Sequence, residues 1–256
     1  MEFHASPLAY VFLVVASGVA SFIDSIAGGG GIITLPALLA AGMPPHLALG
    51  TNKLQASFGS LTATLRFGRA GLIKPREVIP GVLATAAGAA LGAIAVGAID
   101  GSILKILIPI LLVAIVAFLL LRPRFGLAEG TKRLPWIPFW IGAGLALGFY
   151  DGFFGPGTGT FWAIALVGLA GLEMRGATAY TKVANFTSNL VSLGIFALAG
   201  TVFVPMGLAM GASSILGAWA GSHLVLKRGA GLVRGVLIGM SSAIVIYIAL
   251  RYWVFK

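Results

Sequence analysis

The sequence predicts an all-α polytopic membrane protein built as two inverted-topology repeats of about five hydrophobic segments each. Three observations carry that expectation. The 256 residues are 59% hydrophobic and only 9% charged, whereas a soluble domain needs about 25% charged residues to cover itself. Apolar segments recur along the whole chain. One unusual motif, an aspartate followed by glycines inside an apolar segment, occurs twice.

The segments fall at 8–27, 32–42, 46–66, 78–98, 103–121, 135–152, 158–171, 176–199, 204–226 and 231–250. Most approach the ~20 residues that cross about 30 Å of hydrocarbon as helix. Segments two and seven are too short for that at ~1.5 Å per residue. Each follows a glycine-rich break, and broken backbone survives at membrane depth only where protein or a watery cavity surrounds it. Both therefore read as half-helices ending at an internal loop.

The breaks also reveal a repeat. "FIDSIAGGGG" at 22–31 matches "FYDGFFGPGT" at 149–158, placing Asp24 over Asp151 and Gly28 over Gly155. Further on, "TNKLQASFGSL" at 51–61 matches "YTKVANFTSNL" at 180–190, with Lys53 over Lys182. The expected organisation is a first membrane repeat at 1–121, a cytoplasmic linker at 122–134 and a second membrane repeat at 135–256.

Charge supports the inversion. Loops 66–77, 121–134, 172–176 and 226–234 hold 4, 4, 1 and 3 basic residues. With an external N-terminus all four fall on the cytoplasmic side, as the positive-inside rule requires. Five segments per half is an odd number, so the halves enter from opposite faces. Both termini are then expected outside, where Lys105, Arg251 and Lys256 remain. The net charge of +10 is thus spread over loops, which argues against a nucleic-acid partner. The first ten residues lack the basic region of a secretory signal. Cysteine is absent, which excludes disulfides and thiol chemistry.

Two basic residues are left inside segments, Lys53 and Lys182. A charge at the bilayer centre costs roughly 2.5–3.5 kcal/mol on insertion scales and is rarely idle. Polar residues share their helical faces: Asn52, Gln55, Gly59 and Thr62 in one half, Asn185, Asn189 and Ser192 in the other. One reading is an anion pathway with the ammonium groups as its positive charges. The other is that shallow lysines snorkel to the interface. Asp24 and Asp151 have three readings: proton carriers, caps, or partners of the lysines.

"GGGGIITLP" and "GPGTGT" lead into the half-helices. A helix N-terminus offers unpaired N–H groups and about half a positive charge, which suits an anion. Gly28, Gly29, Gly30 and Gly31, with Gly155, Gly157 and Thr158, would let a ligand approach the backbone closely. Small-residue ridges at Gly81, Thr85, Gly88, Gly92 and at Gly207, Gly211, Ser214, Ala218, Gly221 read as helix packing. His46 is expected at the outer mouth. Three scattered histidines make no metal cluster, and no serine–histidine–acid grouping is readable, so an enzyme is disfavoured. No cofactor is called for.

At this point "FIDSIAGGGGIITLPALLAAGMPPHLALGTNK" (22–53), with "GFYDGFFGPGTGTF" (148–161) and "ATAYTKVANFTSNL" (177–190), resembles the TauE/SafE family of bacterial sulfite exporters, in its YfcA-type branch. The resemblance covers nearly the whole chain. It implies a multi-pass permease of the bacterial inner membrane that moves sulfite or organosulfur anions without ATP. The family pattern falls on Gly28 to Gly31, Pro36, Thr51, Asn52, Lys53, Asp151, Gly155, Gly157 and Lys182. The expected function is a secondary transporter of small sulfur-containing anions, alternating access between two inverted halves. The expected substrate ligands are Lys53, Lys182, Asn52, Thr51, Gln55, Asn185 and the glycine loops, with Asp24 and Asp151 as coupling or ion-pair groups. Partners are a small anion, the lipid bilayer and a coupling ion, H+ or Na+, with a homodimer one option for assembly. An anion channel, a non-transporting scaffold or receptor, and a cation antiporter are the rival readings.

Overall fold

The computed structural model describes residues 6–121 and 134–229. The expected linker at 122–134, apart from Leu134, lies outside the described residues, as do segment ten and the C-terminus. Within them the chain is all helix: α1 Pro7–Ala27, α2 Gly31–Ala40, α3 Pro45–Arg69, α4 Pro75–Gly97, α5 Gly101–Leu121, α6 Trp136–Phe153, α7 Thr158–Gly168, α8 Met174–Leu198 and α9 Val204–Arg228. Each coincides with an expected apolar segment to within a few residues. Proline opens α1, α3, α4 and α9 in their first turns, where its missing N–H costs nothing. Ser6 caps α1 by accepting from the Ala9 N–H at 3.2 Å. Asp100 does the same for α5, accepting from the Ser102 hydroxyl and its N–H. Those two bonds hold the Asp100 carboxyl below the usual carboxylate range.

Among the described residues α1, α4 and α9 are long and apolar enough to cross a membrane. The 25-residue α3 and α8 are as long or longer but carry polar stripes, and they lie at the centre. Packing runs α1 on α9, α9 on α3, α3 on α8, α8 on α4 and α4 on α6. Exchanging α1–α4 for α6–α9 maps this order onto itself. The halves are interleaved, because α4 packs with α6 and α8 while α9 packs with α1 and α3.

Contacts also give helix directions. Gly81, Gly88 and Gly92 lie against Trp140, Leu145 with Phe149, and Phe149 with Phe153 in turn, so α4 and α6 run parallel. Ser17 bonds the Met210 carbonyl, and Gly217 and Gly221 abut Phe22, so α1 and α9 also run parallel. The counterparts α3 and α8 are antiparallel, since Gly50 touches Phe196 while Phe67 and Tyr180 share the core at the other end.

The chain turns gather at two ends. At one end the Lys74 N–H donates to Tyr180 Oη, Leu134 to the Leu169 carbonyl, and Arg175 to the Leu226 carbonyl. Seven described basic residues stand at this end: Arg66, Arg69, Lys74, Arg76, Arg175, Lys227 and Arg228. The opposite end holds Lys105 and a cavity of about 860 Å³ between the turns, lined by His46, Asp100 and Thr201 among others. Leucines, isoleucines and valines point outward along α1, α4, α5 and α9 between these ends, as a lipid-facing surface demands.

Whether α2 and α7 cross or re-enter is settled by their neighbours. Gly221 of α9 lies against Phe22 and Ser25, so α1, ending at Ala27, stops before α9, which continues to Arg228. α2 then returns to the end where α1 began, as its Leu38 packs in one cluster with Leu13. α6 and α7 make the same hairpin from the basic end, because Leu134 and Leu169 are bonded. Each hairpin tip passes mid-depth, and the two glycine turns meet: Gly28 lies against Gly159 and Thr160, and Gly31 against Pro156.

The ridges are filled to contact. A Cβ on Gly88 would strike the Leu145 carbonyl, whereas one on Gly142 would meet nothing within 4 Å. Gly88→Leu is therefore expected to cost about 1–3 kcal/mol or more through overpacking and to lower the thermal unfolding temperature in detergent. Gly142→Ala is expected to leave it equal or higher, since Gly is the poorer helix former by up to about 1 kcal/mol.

Candidate functional site

Breaking a helix inside a membrane strands the last carbonyls of one piece and the first N–H groups of the next. Here a lysine donates to one carbonyl at each break, in α1 to one that also accepts from the Gly28 N–H. Lys53 Nζ donates to the Asp151 backbone carbonyl and, at 2.7 Å, to Asp151 Oδ1. Lys182 Nζ donates to the Asp24 backbone carbonyl and, at 2.9 Å, to Asp24 Oδ2. Each lysine thus caps the tip of the other half's broken helix. A cation is favourable at a helix C-terminus and a carboxylate there is not, so each aspartate depends on its lysine. The side chains of Lys53 and Lys182 are 1% and 0% exposed; neither snorkels.

The pairs sit at different depths. Lys53 is eight residues from the start of α3, toward the cavity-bearing end, and Lys182 eight from the start of α8, toward the basic end. Between them lies a polar cavity of about 50 Å³. A single water needs about 10–15 Å³ on this measure, so the space suits a few waters or one small oxyanion.

The cavity wall comes from α1, α3, α6 and α8, the first residues of α2 and α7, and both glycine turns. Asp24 and Ser21 of α1, Asn52, Lys53, Gln55 and Ser60 of α3, Asp151 of α6, and Asn185 and Asn189 of α8 all border it. So do Gly29, Gly30 and Gly31 at the start of α2, and Gly155, Gly157, Thr158 and Gly159 at the start of α7. Gly157, at φ 83°, holds a left-handed backbone that other residues rarely adopt. The Gly30 N–H already donates to Asp24 Oδ1 at 3.1 Å.

Side-chain bonds fix the α3 wall. Asn52 Oδ1 accepts from Thr34 at 2.6 Å and from Gln55 Nε2 at 3.0 Å, and Gln55 Oε1 accepts from Ser214 at 2.6 Å. This aims the Asn52 N–H donors at the space they border. The α8 wall is looser: Asn185 is buried, and its Oδ1 has no partner among the described residues. Within a polar network such an atom needs a ligand or water.

Three predicted ligands do not border the cavity: Lys182 stands behind Asp24, to which it is bonded, and Thr51 and Gly28 serve the frame. Thr51 Oγ1 accepts from the Phe203 N–H at 2.9 Å, which ties α3 to the turn before α9. Gly28 backs onto Gly159 and makes the crossing of the turns possible. Sequence reasoning passed over Ser188, whose hydroxyl donates to Asp151 Oδ2. Its counterpart across the repeat is Gly59, so no matched pair of serines marked it. Ser21, Ser60 and Thr34 were missed for a similar reason, being ordinary small residues on helices, and Ser214 was read only as part of a packing ridge.

The profile of the sulfite exporter TauE/SafE family matches residues 13–248. A probable membrane transporter from Sinorhizobium sp is 45% identical over 92% of this chain and 90% of its own. One from Haemophilus influenzae is 44% identical over 94% of each. The probable membrane transporter YfcA of Escherichia coli is 42% identical over 94% of this chain and 89% of its own. No solved structure matches. Resting on a family match over most of its length and on full-length relatives named as transporters, the chain belongs to the TauE/SafE family and is a membrane transporter rather than an enzyme.

Proposed function

We propose that this transporter carries small sulfur oxyanions of the sulfite type across a bacterial inner membrane by alternating access between two inverted halves. The observation that carries the reading is the small polar cavity where the N-termini of α2 and α7 meet Lys53 and, behind Asp24, Lys182. The charges of the two Lys–Asp pairs cancel, and each helix N-terminus adds about half a positive charge. The sum is roughly one positive charge, fit for a monoanion. Lys53, Asn52 and Asn185 supply donors at the wall, Lys182 stands behind Asp24 as a further one, and the first-turn N–H groups of both half-helices complete the cradle.

The antiparallel run of α3 against α8, and the mirrored order of helix packing, support the inverted repeat. The gathering of basic residues at one end supports a cytoplasmic assignment for that end and an external N-terminus. A cavity of this size favours sulfite over bulkier organosulfonates, which need a wider opening. The abutting glycine turns interrupt any straight path past the site, which favours a carrier over a channel, since a channel needs a continuous one.

Lys53→Met leaves the Asp151 carboxylate buried without its cation and is expected to cost about 3–5 kcal/mol. Lys53→Met combined with Asp151→Asn is expected to recover most of that, read as thermal unfolding of the purified protein in detergent. An equal loss in both proteins would refute the pairing as a stability element.

The transport reading is tested with labelled sulfite in proteoliposomes. Saturable uptake is expected, abolished in the Lys53→Met/Asp151→Asn protein and reduced at least tenfold in Asn185→Ala. Normal flux in both variants would sink the site. Single-channel currents with linear flux would establish a channel, and ligand binding without flux a receptor. Flux of Na+ or H+ that ignores the anion would establish a cation antiporter.

A further inference from the structure

The two Lys–Asp pairs are not equivalent, and the difference assigns them different work. Asp151 is 5% exposed and held at both oxygens by side chains, Lys53 on Oδ1 and Ser188 on Oδ2. Asp24 is 23% exposed and opens onto the cavity. Its Oδ2 takes Lys182 and its Oδ1 takes the Gly30 N–H at the start of α2. An ammonium and a helix N-terminal N–H are the groups an anionic substrate would use. Asp24 sits in that seat already.

We infer that the Asp24 carboxylate is a built-in competitor for the substrate, and that the anion takes its place on Lys182 and Gly30 only when Asp24 takes up a proton. This rests on the transport reading above and deepens it. The charges balance: a proton joins the Asp24 carboxylate, the neutral acid releases Lys182 and the Gly30 N–H, and a monoanion replaces the lost negative charge. One proton therefore enters the site with each anion. Proton and anion load together or not at all.

The groups around Asp24 leave it as the exchangeable acid. α8 presents Lys182 to it. Across the cavity α3 presents Lys53 and α6 presents Asp151, which are engaged with each other. The sequences of α2 and α7 contain no titratable residue. α9 meets α1 through Gly217 and Gly221, while its His223 is exposed, stacked on Trp219 and bonded to Arg66. Ser188 has only Gly59 as its counterpart, so no hydroxyl locks Asp24 as it locks Asp151.

The test is calorimetric titration of the detergent-solubilised protein with sulfite between about pH 5.5 and 8, in buffers of different ionisation enthalpy. Sulfite's own protonation is measured without protein and subtracted. Wild type is expected to take up about one further proton per anion and to bind up to about tenfold more weakly per pH unit as pH rises. Asp24→Asn is expected to bind with no further proton and a flat pH profile, and Asp24→Glu to restore proton uptake. Sulfite binding by wild type without the extra proton, or an unchanged pH profile in Asp24→Asn, overturns the exchange while leaving the transport reading intact. No sulfite binding at any pH overturns both.

Discussion

The fold depends on how broken helix ends are satisfied where there is no water to satisfy them. An unpaired backbone group in hydrocarbon costs several kcal/mol, and this chain breaks two helices past mid-depth. Each break is repaired by the other half. Lys53 caps α6 and Lys182 caps α1, and the two glycine turns fill each other's space. The interleaving of α4 and α9 with the opposite halves follows the same logic, because a half standing alone would expose its own break to lipid. Two sequence repeats therefore make one structural body.

That repair also creates the chemistry. A lysine spent wholly on a cap would be inert, but here each cap shares its proton donors between a backbone carbonyl and a carboxylate at the cavity wall. The positive ends of α2 and α7 converge on the same space, so the region is electropositive although its side-chain charges cancel. Apolar packing tightens the frame around it, with Trp140, Trp162 and Tyr180 in ring contact at the basic end. A site of this kind can hold an anion strongly only while its internal carboxylates are kept from it.

Much of this was legible in the sequence, and the reasons are physical. Apolar length located nine of nine described helices, because lipid leaves few other options for such segments. Asp24, Lys53, Asp151 and Lys182 stood out because charges inside apolar runs are expensive, and the doubled motif tied them together. The crossed pairing was not legible: spacing allows Asp24 to meet either lysine, and only the antiparallel packing of α3 on α8 selects Lys182. Re-entry of α2 and α7 was likewise open, since a short helix can end a hairpin or finish a kinked crossing. The place of Thr51 was not legible either: it lies beside Asn52 and Lys53 in sequence, yet its hydroxyl is turned to the backbone of Phe203. Ser188 was passed over because hydroxyls on helices usually bond their own backbone, as Ser57, Ser60 and Thr62 do.

The departures from two-fold likeness matter as much as the likeness. Inverted halves of identical sequence would make inward-facing and outward-facing states of equal free energy, with no difference between the two ends of the path. Here the first half has Leu13, Leu35 and Gly59 where the second has Trp140, Trp162 and Ser188. The indole N–H groups of Trp140 and Trp162 are buried and without partners among the described residues, and Ser188 immobilises one carboxylate. These substitutions hold Asp151 at both oxygens and leave Asp24, on the side of the basic end, more exposed and without a hydroxyl partner. A bias between states of a few kcal/mol is within reach of such single contacts. In the proposed carrier such a bias decides which face stands open at rest, while the gradients of anion and proton decide the direction of net flux.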